Sequence, residues 1–405
     1  MSSANSGKIS SAMKETFPQP PPRGFPAAAY AHRVTDMQRR MAAAQVDALI
    51  LTTAAEFAYF SGFCTQFWES PTRPWFLLLP ADGKPIAIIP DIGEAAMRDT
   101  WLDDVRCWPS PRPADDGISL LAAAAGDAAK QHGQIGMALG TQSAIRMPIN
   151  DWQKLTEAVR PAVVIDVSDI LQAQRMIKSP LEVEKIRHAA ALTSAAFTAL
   201  PAIAAAGWSE REICLLLRQD ILRRGGDYLP YLAAASGVGG YEKIIMPPTD
   251  KIPLPGDILF IDTGTVFDHY FCDFNRNYAI DNPAESAQQA HRLLYDAVSA
   301  GAAAARPGVR ASEVWRAMRE VLGAAGGDGR MGHGIGLQLT EPPSLAPDDP
   351  TVLAAGMTLA IEPSMTTKDG ALLVCEENIL LTDDGVLWLS TRAAPELPIL
   401  SAADK

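Results

Sequence analysis

Gly256 to Gly264 reads GDILFIDTG, an apolar run carrying a carboxylate, Asp262, near its end. A bare charge in such surroundings is costly unless something neutralises it. The chain then repeats the arrangement four times. Asp273 lies in YFCDFNRNY (270–278), His333 in GHGIG (332–336), Glu362 in GMTLAIEPSM (356–365) and Glu376 in ALLVCEENILLT (371–382). Each segment reads as a strand or strand edge. Asp262 and Asp273 are eleven residues apart on successive runs. A hairpin would bring them to one end of a sheet, where two carboxylates repel unless cations lie between them. The glycines beside His333 let the backbone approach closely and leave the imidazole room to reach a cation. Four carboxylates and one imidazole suit a borderline or hard dication such as Mn, Fe, Co or Zn, and the imidazole speaks against calcium. Two such ions would neutralise the four carboxylates.

Outward from this region the chain divides in two. A helical period runs from Tyr30 to about Val46, followed by the short apolar runs DALILTT, WFLLLP and PIAIIP, bounded by Gly, Pro and Asp. GISLLAAAAGDAAKQHG reads as a covering helix and QIGMALG as a further strand. Fully apolar runs alternating with helices indicate strands covered on both faces, hence an α/β domain over 28–172. At Ser179-Pro180-Leu181-Glu182 a helix-start signature opens a long Ala-rich helix, and another starts near Trp208. Strands over 256–262 and 270–280, helices over 285–305 and 311–324, and a strand-rich remainder predict an α+β domain over 175–400. Residues 1–27 are polar and Pro-rich, a tail that is disordered or draped over the surface.

The chain has 405 residues, 48% apolar and 20% charged, with a net charge of −12. That balance excludes the basic face which nucleic acid or an anionic membrane would need. Five dispersed cysteines without a CxxC pair suggest free thiols and a reducing compartment. There is no apolar stretch of spanning length and no signal-peptide core, so a cytoplasmic location is expected.

From Ile177 onward these motifs resemble the catalytic domain of the aminopeptidase P, prolidase and methionine aminopeptidase family, the pita-bread metallohydrolases. IKSPLEVEKIRHAA resembles the helix that opens that domain, and GDILFIDTG, YFCDFNRNY, GHGIGL, IEPSM and EENILLT match its ligand segments. The preceding half, including FAYFSGF (57–63), resembles the smaller N-terminal domain shared with creatinase. The resemblance implies a dinuclear centre held by Asp262, Asp273, His333, Glu362 and Glu376, with Glu362 doubling as general base. A homodimer is expected as well, because the aromatic loop 67–76 reads as more exposed than one chain could cover, and large apolar patches mark interfaces.

Two positions depart from the family pattern. The peptidases carry a histidine shortly before a PTD-like segment and another seven residues after the histidine ligand. Here those positions hold Ile245 in EKIIMPPTD and Thr340 in GHGIGLQLTEPP. Threonine cannot carry a proton near neutral pH, whereas imidazole can. His269 reads either as a surface hairpin residue or as a relocated acid/base group facing the metals, with Tyr270 beside it. In FCTQFWESPTRPWF (63–76), Trp68, Glu69 and Arg73 belong either to a loop anchoring the first domain or to a lid that forms a substrate pocket. An aromatic wall near a carboxylate suits a cationic group.

The missing imidazoles favour a metal-dependent enzyme acting on a small zwitterionic or amide metabolite, as creatinase, ectoine hydrolase and the dimethylsulfoniopropionate-cleaving enzymes do. Hydrolysis of a C–N bond is the expected reaction, with lyase chemistry as the variant and weak or no Xaa-Pro cleavage. The alternative is an Xaa-Pro aminopeptidase or dipeptidase, which the overall resemblance carries. A non-catalytic binding module is a remote third reading, against which the five retained ligands argue.

Overall fold

The computed structural model describes residues 19–204 and 207–400. Residues 1–18, most of the expected tail, lie outside the described ones.

In the first half, strands β1 (Ala48–Leu51), β2 (Phe76–Pro80), β3 (Ile86–Pro90), β4 (Asp104–Trp108), β5 (Gln134–Met137) and β6 (Val163–Asp166) form one sheet in the order β4-β3-β2-β1-β5-β6. The sheet is mixed, because β1–β2 and β2–β3 pair antiparallel while the outer pairs are parallel. Helices α1 (Ala27–Ala43), α2 (Ala54–Ser61), α3 (Glu94–Arg98), α4 (Ile118–Ala128), α5 (Ile149–Ala158) and α6 (Ser168–Met176) surround it. Leu49, Leu51, Leu77 and Leu79 pack with Met37, Met41 and Phe57 on one face, and Ala48, Ile50 and Leu78 pack with Leu121, Ala125 and Leu155 on the other. Both faces are covered, which is why these strands read as apolar throughout.

The second half opens with α7 (Pro180–Ile203). The N–H and hydroxyl of Ser179 both donate to Glu182 at 2.8 Å, and Pro180 occupies the first helical position, where its missing N–H does no harm. Next come α8 (Glu210–Arg224), β7 (Tyr228–Val238), β8 (Asp257–Phe267), β9 (Tyr270–Phe271), β10 (Phe274–Ile280), α9 (Glu285–Ala304) and α10 (Ala311–Leu322). The chain ends through β11 (Gly332–Gly334), β12 (Glu341–Ser344), β13 (Thr358–Ile361), β14 (Ser364–Thr366), β15 (Leu372–Val374), β16 (Glu377–Thr382), β17 (Gly385–Trp388) and β18 (Ile399–Leu400). Two sheets matter for the site. One runs β18-β10-β8-β7 with β9 against β8, and the other runs β12-β11-β13-β16-β17. β8 continues past Asp262 to Phe267, further than the sequence pattern indicated, because Thr263, Thr265 and Val266 keep it buried on both faces.

One apolar core is continuous between the halves, from Met37 and Leu49 through Ile186 and Phe197 to Leu259 and Ile261. Residues 19–26 lie against the second half. Arg23 donates to Asp227, Gly24 N–H donates to Asp268, and Lys185 donates to the Pro22 carbonyl. All five cysteines are free thiols. No helix among the described residues is long and apolar enough to cross a membrane.

Candidate metal centre

The two sheets deliver Asp273, Glu362 and Glu376 at strand ends and Asp262 from the middle of β8. In the first sheet β8 and β10 pair antiparallel with Asp262 opposite Asn275, so Asp273, just ahead of β10, returns beside Asp262. In the second, β13 pairs with β16 so that Ile361 faces Glu377. Glu362, one residue past β13, and Glu376, one residue before β16, therefore emerge at the same end. His333 sits at the centre of β11, opposite Ala360 of β13. A Cβ at Gly332 would press into the Ala360 carbonyl, and one at Gly334 into the Pro342 carbonyl. Only glycine permits that approach.

Ligand atoms of Asp273, His333 and Glu376 lie within 4.8 Å of one another, and all three residues are buried. His333 Nε2 is 3.4 Å from Asp273 Oδ2. Its Nδ1 is 2.9 Å from the Gly334 carbonyl, which can only accept, so Nδ1 carries the proton. In its neutral form the ring turns a bare lone pair toward a carboxylate, an arrangement that a second proton or a cation between them would relieve. Tyr231 of β7 donates to Asp262 Oδ1 at 3.0 Å and also touches Asp273 Oδ1, although it has one proton for the two carboxylates. Glu376 Oε1 is buried with no hydrogen-bond partner. The acceptors exceed the protons available to satisfy them, and the residues present fit divalent metal ions.

The electrostatics agree. Burial, then the charges of Asp273 and Glu362, pushes the Asp262 carboxyl well above its ordinary range. Glu376 is pushed well up by burial, then by Asp273, Glu362 and Asp262. Glu362 is raised by burial and by Asp273. Burial opposes protonation of His333, but the hydrogen bond and charge of Asp273 prevail and raise it. The Tyr231 hydroxyl is held protonated by burial and the surrounding carboxylates.

The structure thus brings together Asp262, Asp273, His333, Glu362 and Glu376, and adds Tyr231, which the sequence reading missed. Other candidates fall elsewhere. His269 does not face this cluster: it occupies the β8–β9 turn at φ 75°, with Nδ1 3.5 Å from Cys64 Sγ and with Asp268, Asp227, Lys185 and Arg23 as its charged neighbours. The turn directs it toward the first domain. Together with Trp68, Glu69, Cys64 and Tyr228 it lines a cavity of about 720 Å³ whose walls include none of Asp262, Asp273, His333, Glu362 and Glu376. Tyr270 is buried and donates to Glu182 while accepting from Arg33, a strut between the two halves rather than a substrate contact. Arg73 lines a different pocket with Phe67 and Trp75. Ile245 is 84% exposed, and Thr340 is exposed too. Of the aromatics in 67–76, Trp75 and Phe76 are buried and Trp68 packs at a tilt of 59° against Phe57, so only Phe67 remains largely exposed. That loop is covered mainly by its own chain, which removes it as an argument for a dimer.

Comparison with known proteins follows the same division. A model of metallopeptidase family M24 matches residues 184–383, and a model of the creatinase/prolidase N-terminal domain matches residues 33–177. The probable dipeptidase PepE of Mycobacterium tuberculosis is 27% identical over 381 residues, covering 90% of this chain and 95% of that protein. The Xaa-Pro dipeptidase of Pyrococcus furiosus is 28% identical over 238 residues, covering 57% of this chain and 67% of that one. The crystal structure of dipeptidase PepE from Mycobacterium ulcerans matches with a TM-score of 0.78 at 26% identity, covering 93% of this chain and 100% of that one. With an N-terminal creatinase/prolidase domain ahead of a catalytic domain whose acidic strand ends converge on one histidine, this chain belongs to metallopeptidase family M24.

Proposed function

We propose that the protein is a divalent-metal-dependent hydrolase of dipeptides or other short peptides. The observation that carries this is the buried cluster of Asp273, His333 and Glu376, with Glu376 Oε1 lacking any partner, in a chain of this family. Asp262, Asp273, His333, Glu362 and Glu376 would hold two divalent ions, which when bound supply Lewis acidity and a nucleophile active near neutral pH. The chain's own groups have separable tasks. Glu362, raised by burial and by Asp273, is suited to take a proton and return it to the leaving amine. Tyr231 stays protonated and orients Asp262 and Asp273. His333 is fixed by its Nδ1 hydrogen bond to Gly334.

The relatives weigh toward peptides over the small-metabolite reading drawn from the sequence, since the PepE proteins that match 90% and 93% of the chain are dipeptidases by name. The metabolite reading keeps one observation in its favour: Ile245 and Thr340 offer no imidazole where the peptidases have one. Assembly as a homodimer belongs to the same proposal. It rests on the apolar side chains of Val238, Ile245 and Leu254, which stay 79%, 84% and 62% exposed. Light scattering at a mass near twice 43.3 kDa would support it, and one near 43.3 kDa would refute it.

The functional test is a substrate panel with the Mn²⁺- or Co²⁺-loaded chain, pairing Xaa-Pro and non-proline dipeptides with amide-bearing zwitterions. Cleavage of at least one dipeptide with kcat/KM of about 10⁴ M⁻¹s⁻¹ or more is expected. Inertness toward every dipeptide alongside turnover of a zwitterion would give the function to the second reading.

A further inference from the structure

Asp273 and Glu376 each stand one residue ahead of a strand, outside the ladders of β10 and β16. Their backbone groups are taken up by two buried asparagines. Asn378, two residues beyond Glu376, accepts from the Asp273 N–H at 2.9 Å and donates to the Asp273 carbonyl. Asn275, two residues beyond Asp273, accepts from the Glu376 N–H at 2.8 Å and donates to the Val374 carbonyl at 2.9 Å. The arrangement is reciprocal, since each strand sends its second residue across to the acidic residue that immediately precedes the other. β10 and β16 belong to different sheets, so these carboxamides bond the sheets together where no ladder does. A backbone N–H can only donate and a carbonyl only accept, which fixes the orientation of Asn378, and only an uncharged amide offers both functions at this reach. Asn275 and Asn378 are 1% and 0% exposed, so neither contacts solvent as a surface residue would.

We propose that Asn275 and Asn378 form a reciprocal clamp that presets the Asp273 and Glu376 carboxylates for divalent cations, each asparagine positioning the acidic residue of the opposite sheet. The inference rests on Asp273 and Glu376 being metal ligands. The direction of a carboxylate follows from the dihedrals of its own residue. In Asp273 both peptide groups that define them are held by one side chain. Neither asparagine touches the ligand atoms, so both are positioning residues, and their effect should be read in metal affinity rather than in folding alone.

Asn277 supplies the control. It lies on β10 and is equally buried, and it donates to the Val374 carbonyl at 2.7 Å and accepts from Tyr241, but it grips neither Asp273 nor Glu376. The experiment titrates Mn²⁺ into the chelator-treated full chain by calorimetry for wild type, Asn275→Leu, Asn378→Leu and Asn277→Leu. The unfolding temperature of each is measured without metal. Leucine removes the amide without adding charge, and serine versions at the three positions carry the test if a leucine chain does not fold. The expected result is an affinity loss of about tenfold or more for the 275 and 378 variants, and less than about twofold for the 277 variant, whatever each does to the metal-free unfolding temperature. Wild-type affinity in the 275 and 378 variants overturns the clamp, as does an equal loss in all three, which would mark a general loosening. A wild-type chain that binds no Mn²⁺ overturns the ligand assignment itself, a failure distinct from the other two, and the clamp falls with it.

Discussion

Tyr231 has one phenolic proton and two carboxylate neighbours, and His333, when neutral, turns an unprotonated nitrogen toward the other oxygen of one of them, Asp273. Without a cation the only relief is to bind protons, which is what the raised carboxyls of Asp262, Glu362 and Glu376 express. The sign of the consequence is definite. A carboxyl raised in the folded state binds protons more tightly folded than unfolded, so it stabilises the fold increasingly as pH falls through its raised value toward the unfolded one. The chelated chain should therefore unfold at a higher temperature at about pH 5.5 than at about pH 8. For the Mn²⁺-loaded chain the added stability should shrink over the same span, since protons compete with the metal for the carboxylates. Thermal unfolding with and without metal across that range decides it. His188, His269 and His291, lowered chiefly by burial, act in the opposite sense. The comparison is therefore with a Glu376→Gln chain, and an identical pH dependence in the two would mean the carboxyls are not crowded.

At the scale of elements, β11 shows how close packing serves the site. Gly332 adopts φ 138° and lies so near β13 that a side chain would meet the Ala360 carbonyl and, at 2.8 Å, a methyl of Leu345. Gly332→Ala should cost ~2 kcal/mol or more in the metal-free chain, read as a lower urea midpoint, and an unmoved midpoint would show that β11 has slack. The same packing explains what the sequence disclosed. A carboxylate in an apolar strand is conspicuous because it is costly, so Asp262, Asp273, Glu362 and Glu376 could be picked out by their surroundings, and His333 by its glycines. Tyr231 could not, since an aromatic in YLPYLAAAS looks like any core residue of a strand. Asn275 and Asn378 were equally silent, because their partners come from the other sheet. His269 misled for a related reason. Its distance from Asp273 along the chain is short, but a turn at positive φ sends the ring the other way, to Cys64.

Across the whole molecule, the two halves are joined by the continuous core and by charges buried at the junction. Glu341, at the start of β12, pairs with Arg175 of α6 and with Lys178 at 3.0 Å in the linker. Burial works against its ionisation, but the two cations outweigh it and hold the carboxyl at about 2, below the ordinary 4.5. A depressed pKa contributes stability that is present above about 4.5 and lost as pH falls through about 2. Glu341→Gln should cost ~3 kcal/mol at neutral pH and flatten the acid limb of the stability profile between those values. Denaturant unfolding of both chains over that pH range checks it, and a variant that keeps wild-type stability at pH 7 would contradict it. The two-part architecture was legible from Ser179-Pro180, where the pattern changes. The mixed pairing of the first sheet was not, because apolar runs covered on both faces look alike whichever way they run. All of this serves one centre, so the most direct measurement counts its metal. Elemental analysis of protein loaded with Mn²⁺, Co²⁺ or Zn²⁺ and then freed of unbound ion should find about two ions per chain, with clear loss in Asp273→Ala and Glu376→Ala chains that remain folded. A folded wild-type chain that retains no divalent metal, or an Asp273→Ala chain that retains as much as wild type, would contradict the account.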